Sequence, residues 1–312
     1  MTRVAAIDCG TNSIRLLVAD LPANGGPLTE VTRQMEIVRL GQGVDRTGVL
    51  APEAIERTRL ALAGYAEQIE RLGAARVRMV AASASRDARN AEDFRAMVTA
   101  TLGQVPEVVS GDEEARLSFS GAVRGLPPAR YLVVDIGGGS TELVVGSGSG
   151  SGQGSSSVDA AISVDVGCVR ITERHLHSDP PTLAEIAAAT EDVTAAVDRA
   201  LEAVDAAGID RVVGLAGSVT TVAAIALELT QYQPERIHHA EVSTVDCVRI
   251  TDRLLGMSAA GRLAIPVMHP GRADVIGAGA LVLRTILERV GAGSVIASEH
   301  DILDGIAYSL RQ

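Results

Sequence analysis

The sequence predicts an α/β protein that consists of two similar domains. Strand-like and helix-like segments alternate along most of the chain, which is typical of α/β folds. A length of 312 residues with 46% hydrophobic residues is enough for about two domains, each with its own core. An internal repeat supports this division. Arg3–Asp20 aligns without gaps with Arg130–Gly146, so that Asp8 meets Asp135 at an offset of 127 residues (135 − 8).

Each copy of the repeat predicts a β-hairpin with an acidic residue at the entrance of its turn. An apolar strand ends in Asp, a turn with glycine and Ser or Thr follows, and a second apolar strand returns. The second copy runs into the low-complexity segment 147–157, SGSGSGQGSSS. We interpret this segment as a flexible hairpin loop, because strand-like sequence continues on both sides; a linker between domains is the alternative.

Strands and helices alternate after each hairpin. Pro52–Leu72 is predicted to be helical because apolar residues recur every three or four positions and Gly73 follows as a stop signal. Capping boxes at Ser110 and Thr182, each with Glu three residues later, predict two further helix starts. The predicted elements of the first half are strands at Met35–Leu40, Arg76–Ala82 and Val105–Val109, and helices at Glu92–Leu102 and Ser110–Val123. Those of the second half are strands at Val158–Val166, Arg211–Ala216 and Ser294–Ala297, and helices at Thr182–Ala206, Ala273–Val290 and Asp301–Leu310.

The composition excludes several kinds of site. The chain has no lysine, so all 28 basic side chains are Arg, and a lysine-containing P-loop, a protein-kinase ATP lysine and Schiff-base chemistry are impossible. A net charge of −11 and an aromatic content of 2% argue against a nucleic-acid partner. An anion site would have to use Arg, backbone N–H groups or metal ions.

Cysteine usage and the absence of export signals predict a cytoplasmic protein. The three cysteines lack CxxC spacing, which indicates neither a disulfide framework nor a zinc site. Residues 1–20 show no secretory pattern, and the apolar run Val275–Leu283 is too short to span a membrane. The six histidines have no metal-ligand spacing, so we expect them to be structural or exposed.

The segment 135–142, DIGGGSTE, is the strongest local indication of chemistry. Three glycines let the backbone approach an anion closely and direct N–H groups at it, and two hydroxyl side chains follow. Asp135 and Glu142 flank this turn, and carboxylates beside an anion site suit a hard cation that bridges to phosphate. An ordinary acidic turn is the alternative, but the matching segment Asp8–Ser13 favours a two-sided phosphate clamp.

Several long motifs together resemble the exopolyphosphatase / guanosine pentaphosphate phosphohydrolase (Ppx/GppA) family of the actin/Hsp70/sugar-kinase superfamily. The resemblance covers nearly the whole chain and follows the order of the family's motifs. The motifs are IDCGTNSIRLLVAD, ASASRDARNAEDF, VVSGDEEARLSFSG, VVDIGGGSTELVVG, DVGCVRITERHL, LAGSVTTVAA, HPGRADVIGAG and SEHDILDGIA.

The resemblance implies the architecture. It implies two ribonuclease-H-like (actin-like ATPase) domains around a central cleft, with the two hairpins facing each other. The first domain would comprise residues 1–124 and a returning C-terminal helix at 298–312, and the second residues 125–297. The chain ends at Gln312, where longer family members continue into further helical domains, so we expect low processivity and a preference for short polyphosphates.

The resemblance also implies the activity: Mg²⁺-dependent release of terminal orthophosphate from inorganic polyphosphate, with Mn²⁺ as a possible substitute. Guanosine pentaphosphate (pppGpp), a substrate of the stringent response, is the alternative substrate. A kinase or a non-hydrolytic nucleotide- or polyphosphate-binding protein is the alternative class. The implied enzyme is a cytoplasmic homodimer that binds neither nucleic acid nor membranes.

The resemblance assigns roles to particular residues. Glu114 would be the general base that deprotonates the attacking water; a carboxylate that only stabilises its helix terminus is the alternative. Asp8, Asp135 and Glu142 would hold the metal. The residues expected to bind substrate phosphate are Asn12, Ser13, Arg15, Arg86, Gly137, Gly138, Gly139, Ser140, Gly217 and Ser218, with Arg39 as a weaker candidate.

Overall fold

A computed structural model describes residues 1–24, 26–81, 88–148 and 156–311. These residues form two compact units. The first unit contains residues 1–127 and 301–311, and the second contains residues 128–148 and 156–300.

The first unit contains a five-stranded mixed sheet in the order β3-β2-β1-β4-β5. Strands β1 and β2 form an antiparallel hairpin, β3 pairs antiparallel with β2, and β1, β4 and β5 run parallel. The strands are β1 Thr2–Cys9, β2 Ser13–Leu21, β3 Thr29–Ile37, β4 Arg76–Ala81 and β5 Glu107–Val108. The helices are α1 Val44–Thr47, α2 Pro52–Leu72, α3 Ala91–Leu102, α4 Gly111–Ala122 and, at the end of the chain, α12 Ile302–Ser309.

The second unit repeats this strand order and adds one edge strand, giving β10-β11-β9-β6-β7-β8. The β6–β7 hairpin and antiparallel β8 correspond to β1–β3, and β9 and β11 run parallel to β6. The strands are β6 Ala129–Ile136, β7 Thr141–Gly148, β8 Ser157–Val164, β9 Arg211–Leu215, β10 Glu241–Ser243 and β11 Ser294–Ala297. The helices are α5 Cys168–His175, α6 Leu183–Val204, α7 Ala216–Ala226, α8 Pro234–Ile237, α9 Thr244–Leu255, α10 Ala259–Leu263 and α11 Ile276–Val290.

The cores consist mainly of aliphatic side chains, as the low aromatic content requires. In the second unit, Val, Leu, Ile and Ala from β6, β7, β9, α6, α7, α9 and α11 form one continuous cluster. Four of the six aromatic side chains are also fully buried: Tyr65, Phe94, Phe119 and Tyr131. None of the helices in the described ranges is long and apolar enough to cross a membrane.

The α/β class and the pair of similar domains are confirmed, and several elements match their predicted bounds. Helix α2 occupies Pro52–Leu72 and ends at Gly73, whose φ of 68° suits glycine. The predicted hairpin connection after β7 is confirmed by the pairing of Ser147 with Ser157, although residues 149–155 lie outside the described residues. The strand predicted at Met35–Leu40 is wrong in position: β3 ends at Ile37, because the next backbone N–H groups bond to the first hairpin turn instead.

Candidate functional site

Parallel strands bring the candidate residues of the first unit to one edge of its sheet. Because β1, β4 and β5 run parallel and adjacent, their carboxyl ends meet at that edge. Asp8 lies at the end of β1, and Glu114 lies in the first turns of α4, which follows β5. The segment after β4 contains Arg86 and lies outside the described residues, so the role of Arg86 stays a prediction.

The two hairpin turns have the same internal hydrogen bond. In the first turn Gly10 N donates to Ser13 O at 3.0 Å, and in the second Gly137 N donates to Ser140 O at 3.0 Å. The repeat seen in the sequence therefore extends to the backbone conformation of the turns.

Carbonyl oxygens of the first turn are bound by the chain that follows β3. Asn12 O accepts from the N–H groups of Val38 (3.1 Å) and Arg39 (2.9 Å), and Thr11 O accepts from Gly41 N (2.9 Å). Arg39 adopts a positive φ of 51°, which is unusual for a residue with a side chain and is typical of sites under functional constraint. With these carbonyls directed at 38–41, a turn of this kind can present N–H groups to an anion on its other side.

The second turn is held in the same way by the N-terminus of α5. Cys168 N donates to Gly137 O (3.0 Å), and the N–H groups of Val169 and Arg170 donate to Gly138 O (2.9 and 3.1 Å). The contact requires a glycine before the helix, since a Cβ on Gly167 would lie 2.5 Å from Gly138 O.

The two hairpins differ in the residue that faces the aspartate. In the register of the strands, Asp8 lies opposite Arg15 and Asp135 lies opposite Glu142. Opposed residues of an antiparallel pair point to the same face of the sheet. The first hairpin therefore carries an ion pair where the second carries two carboxylates.

Arg15 bridges two buried carboxylates in the first unit. Its Nε and Nη2 donate to Asp8 Oδ2 at 3.1 and 2.7 Å, and its Nη1 donates to Asp301 Oδ2. Burial raises the pKa of Asp8, and Arg15 offsets only part of that rise. Burial also acts to raise the pKa of Asp301, but Arg15 and Arg33 outweigh it and the pKa is lowered. In the structure Arg15 therefore connects Asp8 to Asp301, and its role in binding phosphate stays a prediction.

Asp135 and Glu142 are the residues that fit a divalent cation. Both are buried, they lie opposite each other on β6 and β7, and Ser163 Oγ donates to Glu142 Oε1 at 2.7 Å. Within the described ranges, no group of three or more His, Cys, Asp or Glu side chains is placed to hold a metal. Mg²⁺ is commonly held by only one or two carboxylates together with substrate phosphates and water, so this donor pair suits it. Asp8 suits a metal less well, because its carboxylate already binds Arg15.

Glu114 is buried in the N-terminal part of α4, with 9% of its surface exposed. The predicted capping box at this helix start is only partly present. Ser110 Oγ accepts from Glu113 N at 3.2 Å, but the Glu113 carboxylate pairs with Arg78 Nη2 at 2.8 Å. The sequence could not reveal this competitor, because Arg78 comes from a neighbouring strand of the fold. The two neighbouring carboxylates differ in exposure, since Glu113 is half exposed and Glu114 is buried, and the role of Glu114 as the base stays a prediction.

A second turn of the second unit lies after β9, on the same edge of the sheet as the 137–140 turn. Ala216 opens it with a φ of 64°, and Gly217 and Ser218 begin α7. Arg272 packs so closely on Gly217 that a Cβ there would lie 2.2 Å from its Cζ. Arg272 Nη1 also donates to Thr221 Oγ1 at 3.3 Å. No local sequence pattern places Arg272 beside this turn, because the contact joins segments that are 55 residues apart in the chain (272 − 217).

The cysteines are buried and not activated. Burial raises the pKa of Cys168 to about 11 and that of Cys247 to about 12, and it raises the pKa of Cys9 as well. Cys9 and Cys168 lie next to the two hairpin turns, but with raised pKa values they are not expected to act as thiolate nucleophiles there.

Comparison with known proteins places this geometry in a family. Residues 17–312 match the model of the Ppx/GppA phosphatase family. The chain is 51% identical to exopolyphosphatase 2 of Mycobacterium tuberculosis, over 99% of both chains. It is 31% identical to a crystal structure of the Aquifex aeolicus Ppx/GppA family member, with a TM-score of 0.81 and coverage of 99% and 97%. It is 30% identical to a guanosine-5'-triphosphate,3'-diphosphate pyrophosphatase of Vibrio atlanticus, over 98% of this chain and 59% of that protein.

Proposed function

This chain belongs to the Ppx/GppA phosphatase family, and we propose that it is an exopolyphosphatase that releases terminal orthophosphate from inorganic polyphosphate. The observation that carries the proposal is the pair of hairpin turns whose carbonyls are bound from behind, in the first unit by the segment after β3 and in the second by the segment after β8. Such turns bind anions through backbone N–H groups, which suits a chain that has no lysine. The identity of 51% to a full-length exopolyphosphatase supports the same substrate.

In the proposed mechanism the two turns bind and orient phosphate oxygens. Residues 11–13 and 138–140 donate backbone N–H groups, since the N–H groups of Gly10 and Gly137 bond within their own turns, and the hydroxyls of Ser13 and Ser140 add donors. Ser218 stays a predicted phosphate ligand only, because its hydroxyl is buried at the start of α7, where it lies against Gly279 and bonds to Cys168. Phosphoryl transfer depends mainly on positioning and on charge stabilisation, so a preformed set of donors supplies most of what the reaction needs.

Glu114 acts as the general base. Its carboxylate accepts a proton from the water that attacks the terminal phosphorus, the new P–O bond forms, and the anhydride oxygen leaves with the remaining chain. Asp135 and Glu142 would hold Mg²⁺, with Mn²⁺ as a substitute, and the cation would neutralise phosphate charge. The cytoplasmic location and the homodimer remain predictions.

A pppGpp phosphohydrolase is the second candidate, since a relative named for that substrate matches nearly the whole chain at 30% identity. The chemistry would be unchanged, and only the recognition of the nucleoside would differ. Of the described aromatic side chains Tyr232 is the most exposed, at 37%, so the surface offers little aromatic area for a guanine base. We therefore place polyphosphate first.

Orthophosphate release from polyphosphate, pppGpp and ATP tests the proposal. We expect polyphosphate to give the highest kcat/KM, and a Glu114→Gln variant to lose about 10²–10⁴-fold in turnover with binding retained. Glu113→Gln is the matched control, because it removes the same charge from the preceding residue, whose side chain is half exposed. Preference for pppGpp would favour the second candidate. Binding of polyphosphate without release by the wild type would indicate a non-hydrolytic protein, and turnover by Glu114→Gln equal to that of Glu113→Gln would exclude Glu114 as the base.

A further inference from the structure

We propose that Asp301 is a positioning residue that fixes the helix of the general base relative to the first hairpin. The inference rests on the proposed role of Glu114 and concerns only the first unit. Asp301 contacts both elements: its side chain binds Arg15 of the hairpin, and its backbone carbonyl lies against Gly121 of α4.

The side-chain contact links the start of α12 to the first hairpin. Asp301 Oδ2 accepts from Arg15 Nη1, while Arg15 Nε and Nη2 hold Asp8 at the hairpin entrance. Asp301 Oδ1 accepts from Leu303 N at 3.0 Å, so the same carboxylate caps the helix. Asp301 is 4% exposed, so a rotation of its carboxylate away from Arg15 would break a buried ion pair.

The backbone contact links α12 to α4 through two reciprocal glycines. A Cβ on Gly121 would lie 2.0 Å from Asp301 O, and a Cβ on Gly305 would lie 2.0 Å from Leu117 O. Both pairs are four residues apart, so each helix presents one face to the other. Glu114 precedes Leu117 by three residues and Gly121 by seven, which places it on the same face of α4.

Close packing converts this contact into a constraint on Glu114. Ordinary van der Waals contact begins at 3.4 Å, so a methyl group at Gly121 would move α4 by about 1.4 Å relative to Asp301 O. A displacement of about 1 Å at a catalytic group can lower a rate about 10²-fold. Through its contact with Gly121 and its ion pair with Arg15, Asp301 therefore fixes the position of α4 relative to the first hairpin.

The test compares Asp301→Asn with Asp20→Asn. Asp20 is the matched control, because its carboxylate pairs with Arg3 through two hydrogen bonds (2.8 and 2.9 Å) at the opposite end of the same hairpin from Asp8. We expect both variants to lower the melting temperature. Only Asp301→Asn should lower kcat on polyphosphate, by about 10–100-fold, with KM within about threefold of wild type. An equal loss of kcat in both variants would overturn the inference.

A double-mutant cycle with Glu114→Gln separates positioning from general structural damage. If Asp301 acts through Glu114, Asp301→Asn should change kcat by less than about twofold in the Glu114→Gln background. Losses that multiply would overturn the inference. Gly121→Ala tests the backbone contact independently and is expected to show the same kcat loss and the same non-additivity, so the test does not depend on Asp301→Asn being folded.

Failure of the inference and failure of the proposed function give different results. A wild-type protein that releases no phosphate, or a Glu114→Gln variant with wild-type kcat, would remove the proposed function or base and the inference with it. A wild type with full activity and an inactive Glu114→Gln, together with Asp301→Asn and Gly121→Ala at wild-type kcat, would overturn the positioning role alone.

Discussion

Gly167→Ala should displace the second hairpin turn without disturbing the backbone of residue 167 itself. Gly167 has φ −150° and ψ 169°, an extended conformation that alanine adopts freely. The only obstacle is space, because the new Cβ would lie 2.5 Å from Gly138 O and 2.8 Å from Gly137 O. Reaching the 3.4 Å of ordinary contact requires a shift of about 0.9 Å.

This shift would act on the atoms that form the proposed phosphate site. The two carbonyls concerned accept the hydrogen bonds from Cys168, Val169 and Arg170 that hold the turn. A displacement approaching 1 Å should lower kcat/KM on polyphosphate by about 10–100-fold, which corresponds to about 1.4–2.7 kcal/mol of transition-state stabilisation.

Orthophosphate release under steady-state conditions measures the effect, and thermal unfolding measures stability in parallel. Gly64→Ala is the control, since Gly64 lies in α2 and a Cβ added there would have no atom within 4 Å to clash with. That variant should keep wild-type activity and gain up to about 1 kcal/mol of stability. Wild-type kcat/KM in Gly167→Ala, with an unchanged melting temperature, would show that the turn is not a rigid part of the site and would refute the reasoning.

Two further predictions concern the metal and the pH dependence. Glu142→Gln should weaken Mg²⁺ binding at least tenfold in a calorimetric titration, because it removes one of the two predicted carboxylate ligands. Asp159→Asn is the control, since it removes a half-exposed carboxylate from β8 and should leave the affinity unchanged. Equal affinities of the two variants for Mg²⁺ would contradict the assignment. Burial, and then His300, lower the pKa of His239, so the unfolded chain takes up a proton first as the pH falls. The free energy of unfolding should therefore decrease below about pH 6.5, and His239→Asn, which suits the positive φ of 65° there, should reduce that decrease while the exposed His177→Asn does not.

Local sequence patterns predicted the elements that are determined locally. The repeat predicted both hairpins. Its alignment places Asp135 at the position of Asp8 and Glu142 at the position of Arg15. The strand register agrees, since Asp8 lies opposite Arg15 and Asp135 lies opposite Glu142. Glycine stops and apolar periodicity predicted α2 to the residue. These features depend on neighbours within about four residues or across one tight turn.

Contacts between distant segments could not be predicted in this way. Arg15 meets Asp301 across 286 residues, and Arg272 reaches the Gly217 turn from another part of the chain. Neither contact leaves a periodic pattern, since each depends on where the sheet order brings two chain segments together. The rings of His238 and His300, whose centroids lie 4.2 Å apart, form a further contact of this kind, across 62 residues (300 − 238).

The two hairpins differ in the charged side chains that they place beside their turns. Asp8 and Arg15 neutralise each other, so the first turn can offer its N–H groups to phosphate without a strong local charge of either sign. Asp135 and Glu142 place two carboxylates beside the second turn, the donor pair that we predict to hold Mg²⁺ there. In a chain with a net charge of −11 and no lysine, each turn considered by itself therefore has a different means of binding an anion: backbone donors at the first turn and a predicted cation at the second. Replacement of Arg15 would remove this distinction, since Asp8 would then lose the ion pair that neutralises its charge beside the first turn.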